Sequence, residues 1–264
     1  MKNLIFLSVV LFALSAAGAS VVYPADGNID FEEGTLELLL AADFDPAVPP
    51  KNGKMEMPAT VFQMDFPGDA HKNYFALKFW NRIMNDGKQL AELRISLWVN
   101  GKGQGGPSIP VGSWKKGEFH HIAFAWKRGE MIMYCDGQQT WKGKMVLPLD
   151  MDLKQVWLLV GSRALWWAKS SHRQRESFLP EESNRICVAA IRISADSRQP
   201  GKEFDFKPDK LTLLLDRYRD LKPGETVTRP EIISDKGTKQ GRIVGRFAAD
   251  EKGIYLYPKK DLKK

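Results

Sequence analysis

Along most of the chain, apolar and polar residues alternate with a period of two in short runs separated by Gly, Pro, Asn-Gly and Asp-Gly. Such alternation marks strands with one buried face, and the breakers between runs mark turns. The runs are "GTLELLLAADF" from Gly34, "ATVFQMDF" from Ala59, "NYFALKFWN" from Asn73, "AELRISLWVNG" from Ala91, "FHHIAFAW" from Phe119, "MIMYCDG" from Met131, "QVWLLVGS" from Gln155 and "RICVAAIRISA" from Arg185. Helical periodicity is scarce. Seven or eight strands joined by short links predict an all-β sandwich of antiparallel sheets.

One hairpin can be read residue by residue. His120, Ile122, Phe124 and Trp126 set one face of a strand, and Phe119, His121, Ala123 and Ala125 set the other. "KRGE" reverses the chain, and "MIMYCDG" returns to a tight turn in which Asp136-Gly137 supplies the positive φ angles. Neighbouring strand residues point to opposite faces, so His120 and His121 cannot both hold one metal ion. The other histidines, His71 and His172, stand far off in sequence, and no Cys or carboxylate lies at ligand spacing. Structural histidines and no metal are expected.

The two ends of the chain differ from this body. One lysine, an apolar stretch from Leu4 to about Leu14 and the small residues of "SAAGAS" follow the layout of a secretory signal, with a cut before Ser20. That stretch is too short to span a bilayer. Residues 1–19 are therefore expected to be removed, and the product to be secreted, extracellular or periplasmic, with no membrane segment. After Pro200 the composition turns more charged. A boundary is expected there, with residues 201–264 as a C-terminal extension. Pro208 to Lys222 reads equally as helix or strand, and "RIVGRFA" and "GIYLYP" read as two paired edge strands around "ADEKG".

Charge and cysteines narrow the partners. The net charge of +7 falls by one when Lys2 is lost, and a basic balance favours acidic partners: uronate or sulfated glycans, an anionic cell surface, or nucleic acid. Export argues against nucleic acid. Cys135 and Cys187 lie in the exported part, where a disulfide can persist; two buried thiols are the alternative.

Four segments resemble the laminin-G-like domains of the concanavalin-A-like lectin and glucanase superfamily: "GNIDFEEGTLELLL" from Gly27, "WKKGEFHHIAFAW" from Trp114, "MIMYCDGQ" from Met131 and "ICVAAIRISADSRQP" from Ile186. The signature positions are Trp114, His121, Trp126, Tyr134, Asp136 and Gly137. The resemblance covers residues 20–200 and implies a jelly roll of two antiparallel sheets. Strands that usually open such domains are not recognised before Gly27, and residues 211–258 are candidates to supply them. The chain departs from the family at Val188, Ala189 and Ala190, where an acidic pattern is usual, and at Cys135, where an aliphatic residue is usual. The superfamily also implies calcium at the rim, and Asp26, Asn28, Asp30 and Asp136 are candidates, but no spacing matches a calcium loop. No cofactor is expected.

Glucanases of this superfamily carry two close carboxylates on one strand. The nearest match, "EEGTLE" from Glu32, has Gly34 in place of an aspartate and lies on the wrong strand, so no catalytic residue is assigned. The candidate ligand site is the loop "GSRALWWAKSSHRQRESFLPEESN" from Gly161. There Trp166 and Trp167, flanked by Arg163, Lys169, Arg173 and Arg175, offer stacking surfaces and forked cations. A non-catalytic module binding a glycan or an extracellular protein is the leading reading. A glycan hydrolase with an unrecognised carboxylate pair, or a structural cell-surface module, are the alternatives.

Overall fold

A computed structural model describes residues 19–49, 55–68, 72–161, 185–222, 224–228, 230, 240–244 and 247–257, with the side chains of 55–58 left aside. These residues form two antiparallel sheets face to face. The first contains β1 (Ser20–Pro24), β3 (Met55–Asp65), β4 (Tyr74–Ile83), β5 (Gln89–Val99), β6 (Lys102–Pro110), β10 (Trp157–Gly161) and β13 (Arg242–Val244), in the order β13-β1-β10-β3-β4-β5-β6. The second contains β2 (Glu33–Ala42), β7 (Phe119–Lys127), β8 (Glu130–Cys135), β9 (Gln138–Lys144), β11 (Ile186–Ser194), β14 (Ala248–Asp250) and β15 (Gly253–Tyr255), in the order β14-β15-β11-β2-β7-β8-β9. β12 (Thr212–Arg217) pairs with β11 off this path. The order skips back and forth between sheets, which makes the sandwich a jelly roll.

The core lies between the sheets, where alternation sends every second side chain. Leu36, Leu38 and Leu40 of β2 and Ile122, Phe124 and Trp126 of β7 meet Phe75, Leu77 and Phe79 of β4 and Leu93, Ile95 and Leu97 of β5. Phe75 and Phe124 touch edge to face across the gap, their centroids 6.2 Å apart. At the end of β2, Gly34 is required by packing: a Cβ there would come within 2.5 Å of the Trp126 indole.

Turn chemistry sets the register of the long hairpin. Arg128 and Gly129 join β7 to β8, and Asp136 and Gly137 join β8 to β9, all four with positive φ. This left-handed pairing matches the twist of the flanking strands.

The sequence pattern missed three strands. β1 lies before Gly27, β6 is rich in glycine, and β9 is a mostly exposed edge with little apolar signal. The tail meets expectation in part, because Ala248–Asp250 and Gly253–Tyr255 pair around "ADEKG" at the edge of the second sheet. Arg242–Val244 pairs with β1 in the first sheet, whereas Ala248–Asp250 pairs with β15 in the second, so "RIVGRFA" supplies strands to both sheets instead of one edge strand. Thr212–Arg217 is a strand, and helix there is excluded.

The proposed disulfide does not form; Cys135 and Cys187 are free thiols. β2 and β7 stand between their strands. Three inter-strand steps amount to about 14 Å, twice the Cα separation of about 7 Å that a disulfide tolerates.

Candidate functional site

The outer face of the first sheet carries a candidate site. Even-numbered positions of β4 and β5 point away from the core, and register sets them opposite one another: Tyr74 faces Trp98, Lys78 faces Arg94 and Trp80 faces Glu92. Trp98 lies flat across Gly103 of the neighbouring β6, where a Cβ would come within 3.0 Å of the indole carbons, and it remains 38% exposed. Glycine at 103 therefore turns the indole into a platform with one ring face toward solvent.

Cations surround these rings. The Arg94 guanidinium carbon is 5.7 Å from the Trp80 ring centroid, and Lys78 Nζ is 5.1 Å from that of Tyr74. Lys78 and Arg94 stand directly opposite one another on adjacent strands, which puts two like charges side by side on this face. Beside them, Ser108 donates a hydrogen bond to Glu92 Oε1 at 2.9 Å. Trp80 Nε1, Arg82 Nε and Glu92 Oε2 are buried polar atoms with no hydrogen-bond partner among the described residues. Arg82 Nη2 lies 4.0 Å from that Glu92 oxygen, an ion pair beneath the exposed rings.

Toward β3 and β10 the same face is covered. Gln63 and Asp65 are buried, and Gln63 Nε2 donates to Asp65 Oδ1. Asp65 faces Tyr74 and Glu92 faces Trp80, six residues apart along β4. That is about 20 Å, well outside the roughly 5–10 Å that glycosidase carboxylate pairs require.

The second sheet carries a buried ionic network on its own outer face. Glu37 accepts from Arg192 Nε at 2.5 Å, and its other oxygen lies 3.1 Å from His121 Nε2. His121 Nδ1 is 3.2 Å from the carbonyl of Gly201, and Arg192 Nη1 donates to the carbonyl of Asp205. The chain after β11 returns over the sheet to make these contacts, and Phe204 packs against both His121 and Arg192. Burial alone would raise the Glu37 carboxyl, but the hydrogen bonds from His121 and Arg192 overcome it and hold it below the usual range. This makes Glu37 of "EEGTLE" a structural ion beyond substrate reach.

The remaining signature residues are structural as well. Trp114 stacks on His120 at 3.9 Å, Trp126 donates its indole proton to the carbonyl of Asp30, and Tyr134 packs on Ala123 and Ala125. Asp136 accepts from the His121 amide through one oxygen and lies 2.9 Å from His120 Nδ1 through the other. Burial opposes its charge, but these two hydrogen bonds keep the carboxyl below its ordinary value. Cys135 Sγ is 3.6 Å from the same Asp136 oxygen, and burial, then Asp136, pushes its thiol up to about 12. The topology thus brings a cysteine and a carboxylate to His120, which sequence spacing had hidden.

Of the calcium candidates, Asp136 stands apart from Asp30. Asp30 sits by Trp126 and Asp136 by His121, opposite ends of β7 about 17 Å apart.

Trp166, Trp167, Arg163, Lys169, Arg173 and Arg175 lie outside the described residues. The residues that sequence reasoning overlooked are Tyr74, Lys78, Trp80, Arg94 and Trp98. Their signal was present: "NYFALKFWN" and "AELRISLWVNG" place aromatic and cationic residues on the polar phase of the alternation, where a solvated face needs neither ring.

No protein-family model matches the chain, and neither does any curated protein sequence. Among solved structures, one from Bacteroides ovatus, provisionally assigned to carbohydrate binding, superposes over 92% of this chain and 60% of its own, with a TM-score of 0.51 at 12% identity. This chain therefore spans somewhat less than two thirds of that protein. Mouse laminin α1 domains LG4-5 match 77% of this chain and 44% of their own at 15% identity and a TM-score of 0.44. A heptameric pentraxin from Limulus polyphemus matches 69% of this chain and 78% of its own at 12% identity and 0.37. The first likeness is one of fold, and it agrees with the two-sheet sandwich described above.

Proposed function

We propose that this protein is a non-catalytic carbohydrate-binding module, exported from the cytoplasm, that holds an acidic glycan against the outer face of its seven-stranded sheet. The observation that carries this reading is the Trp98 indole laid flat on Gly103 beside the opposed cations Lys78 and Arg94. An indole face stacks on the apolar face of a pyranose, and the forked guanidinium takes carboxylate or sulfate. The wide separation of Asp65 and Glu92 supports binding over hydrolysis, and the shared fold with a protein assigned to carbohydrate binding agrees.

Calorimetric titration with a sulfated or uronate oligosaccharide beside its neutral counterpart tests the proposal. The anionic ligand is expected to bind more tightly, and the preference to weaken with salt. Equal affinity for both, or no binding to either, counts against it.

A further inference from the structure

We propose that His120, Cys135 and Asp136 form a transition-metal site, suited to Zn²⁺, at the end of the hairpin and remote from the glycan face. Their donor atoms all lie within 4.8 Å of one another. The set of imidazole, thiolate and carboxylate is one that Zn²⁺ prefers and Ca²⁺ does not. In a tetrahedral zinc site, nitrogen and oxygen ligands stand about 3.3 Å apart and sulfur and oxygen about 3.5 Å. Here His120 Nδ1 and Asp136 Oδ2 are 2.9 Å apart and Cys135 Sγ and Asp136 Oδ2 are 3.6 Å apart. The third separation, imidazole to thiol, is bounded only by the 4.8 Å span of the set, so the His120 ring must slide along Trp114 toward Cys135 for all three donors to reach one ion.

A second observation points the same way. His120 is 9% exposed, and its Nε2 is buried without a hydrogen-bond partner. Nδ1 faces an Asp136 oxygen that only accepts, so in the neutral ring the proton sits on Nδ1 and Nε2 presents a bare lone pair toward Glu118 Oε2, 3.7 Å away. Acceptor then faces acceptor. A cation at Nδ1 reverses this: the proton moves to Nε2 and points at Glu118, the carboxylate–histidine–metal arrangement that orients ligating imidazoles. The other Asp136 oxygen is already held by the His121 amide, and the His120 ring is fixed by Trp114. His120 and Asp136 line a cleft of about 430 Å³ together with Glu118, Lys202 and Glu203, which gives an ion a path to the site. Binding displaces the thiol proton of Cys135 to solvent and involves no change of oxidation state.

Titration of the reduced protein with Co²⁺, followed by Zn²⁺, tests the site. One equivalent of Co²⁺ is expected to produce a thiolate-to-metal absorption band that Zn²⁺ abolishes, and the band should be absent in Cys135→Ser and weakened at least tenfold in apparent affinity in His120→Gln. Cys187→Ser should leave it intact. No band with the wild-type protein, or one that survives Cys135→Ser, overturns the proposal.

Discussion

Tyr23 of β1 donates its phenolic proton to the buried carboxylate of Asp216 on β12, joining the first strand of one sheet to a strand of the other across 193 residues of sequence. The Tyr218 hydroxyl lies 2.8 Å from the same phenol. Tyr23→Phe removes one hydroxyl from both neighbours, and leaving buried polar groups short of a partner costs about 1–3 kcal/mol each. Chemical denaturation should show a stability loss in that range, with an unchanged m value.

Asp216 also sets a pH dependence. Burial raises its carboxyl, and the hydrogen bonds from Thr228 and Tyr23 offset only part of this, so it titrates at about 6. The folded state then holds the proton more tightly than the unfolded chain, whose aspartates titrate near 4. Stabilisation from this group is full below about pH 4 and is lost as pH climbs through about 6, a swing of about 3 kcal/mol. Unfolding free energies measured between pH 4 and 8 should show that decline in the wild type and a much flatter profile in Asp216→Asn.

The Glu37 network behaves in the opposite sense. Its carboxyl is held below the usual range, so its contribution is present above the unfolded value and is lost as pH falls through the folded one. Arg192→Leu strips a buried carboxylate of its guanidinium partner and should cost about 3–5 kcal/mol. The double variant Glu37→Leu, Arg192→Leu should recover much of that loss in urea unfolding, because the uncompensated charge is gone.

The cysteines give a simple test of the sheet order. With β2 and β7 between them, unfolding in an alkylating agent without reductant should add two labels per chain, and Tm should be the same with and without dithiothreitol. A shifted Tm would mean that β8 and β11 lie closer than the topology places them.

Much of this fold is legible in the sequence, and the reasons are local. Period-two alternation in "GTLELLL" and "FHHIAFAW" mirrors the pairing of β2 with β7, and Asp136-Gly137 names its turn by its φ angles. β6 is illegible because its glycines are there for Trp98 and for the β5 backbone: a Cβ at Gly106 would come within 2.0 Å of the Ile95 carbonyl. The Glu37–His121–Arg192 network joins residues up to 155 positions apart, which no spacing rule relates. The face proposed to hold a glycan was hidden differently. Tyr74, Trp80 and Trp98 read as ordinary strand aromatics until cross-strand register sets them beside Lys78 and Arg94 on the solvent side.

A glycan array probed with the wild-type protein, Trp98→Ala and Arg94→Ala tests the central claim most directly. The account predicts binding to uronate- or sulfate-bearing glycans, a loss of at least about tenfold in each variant, equal to about 1.4 kcal/mol, and bound glycans that remain uncleaved. Binding that both variants retain at full strength, or cleavage of the bound chains, would contradict it.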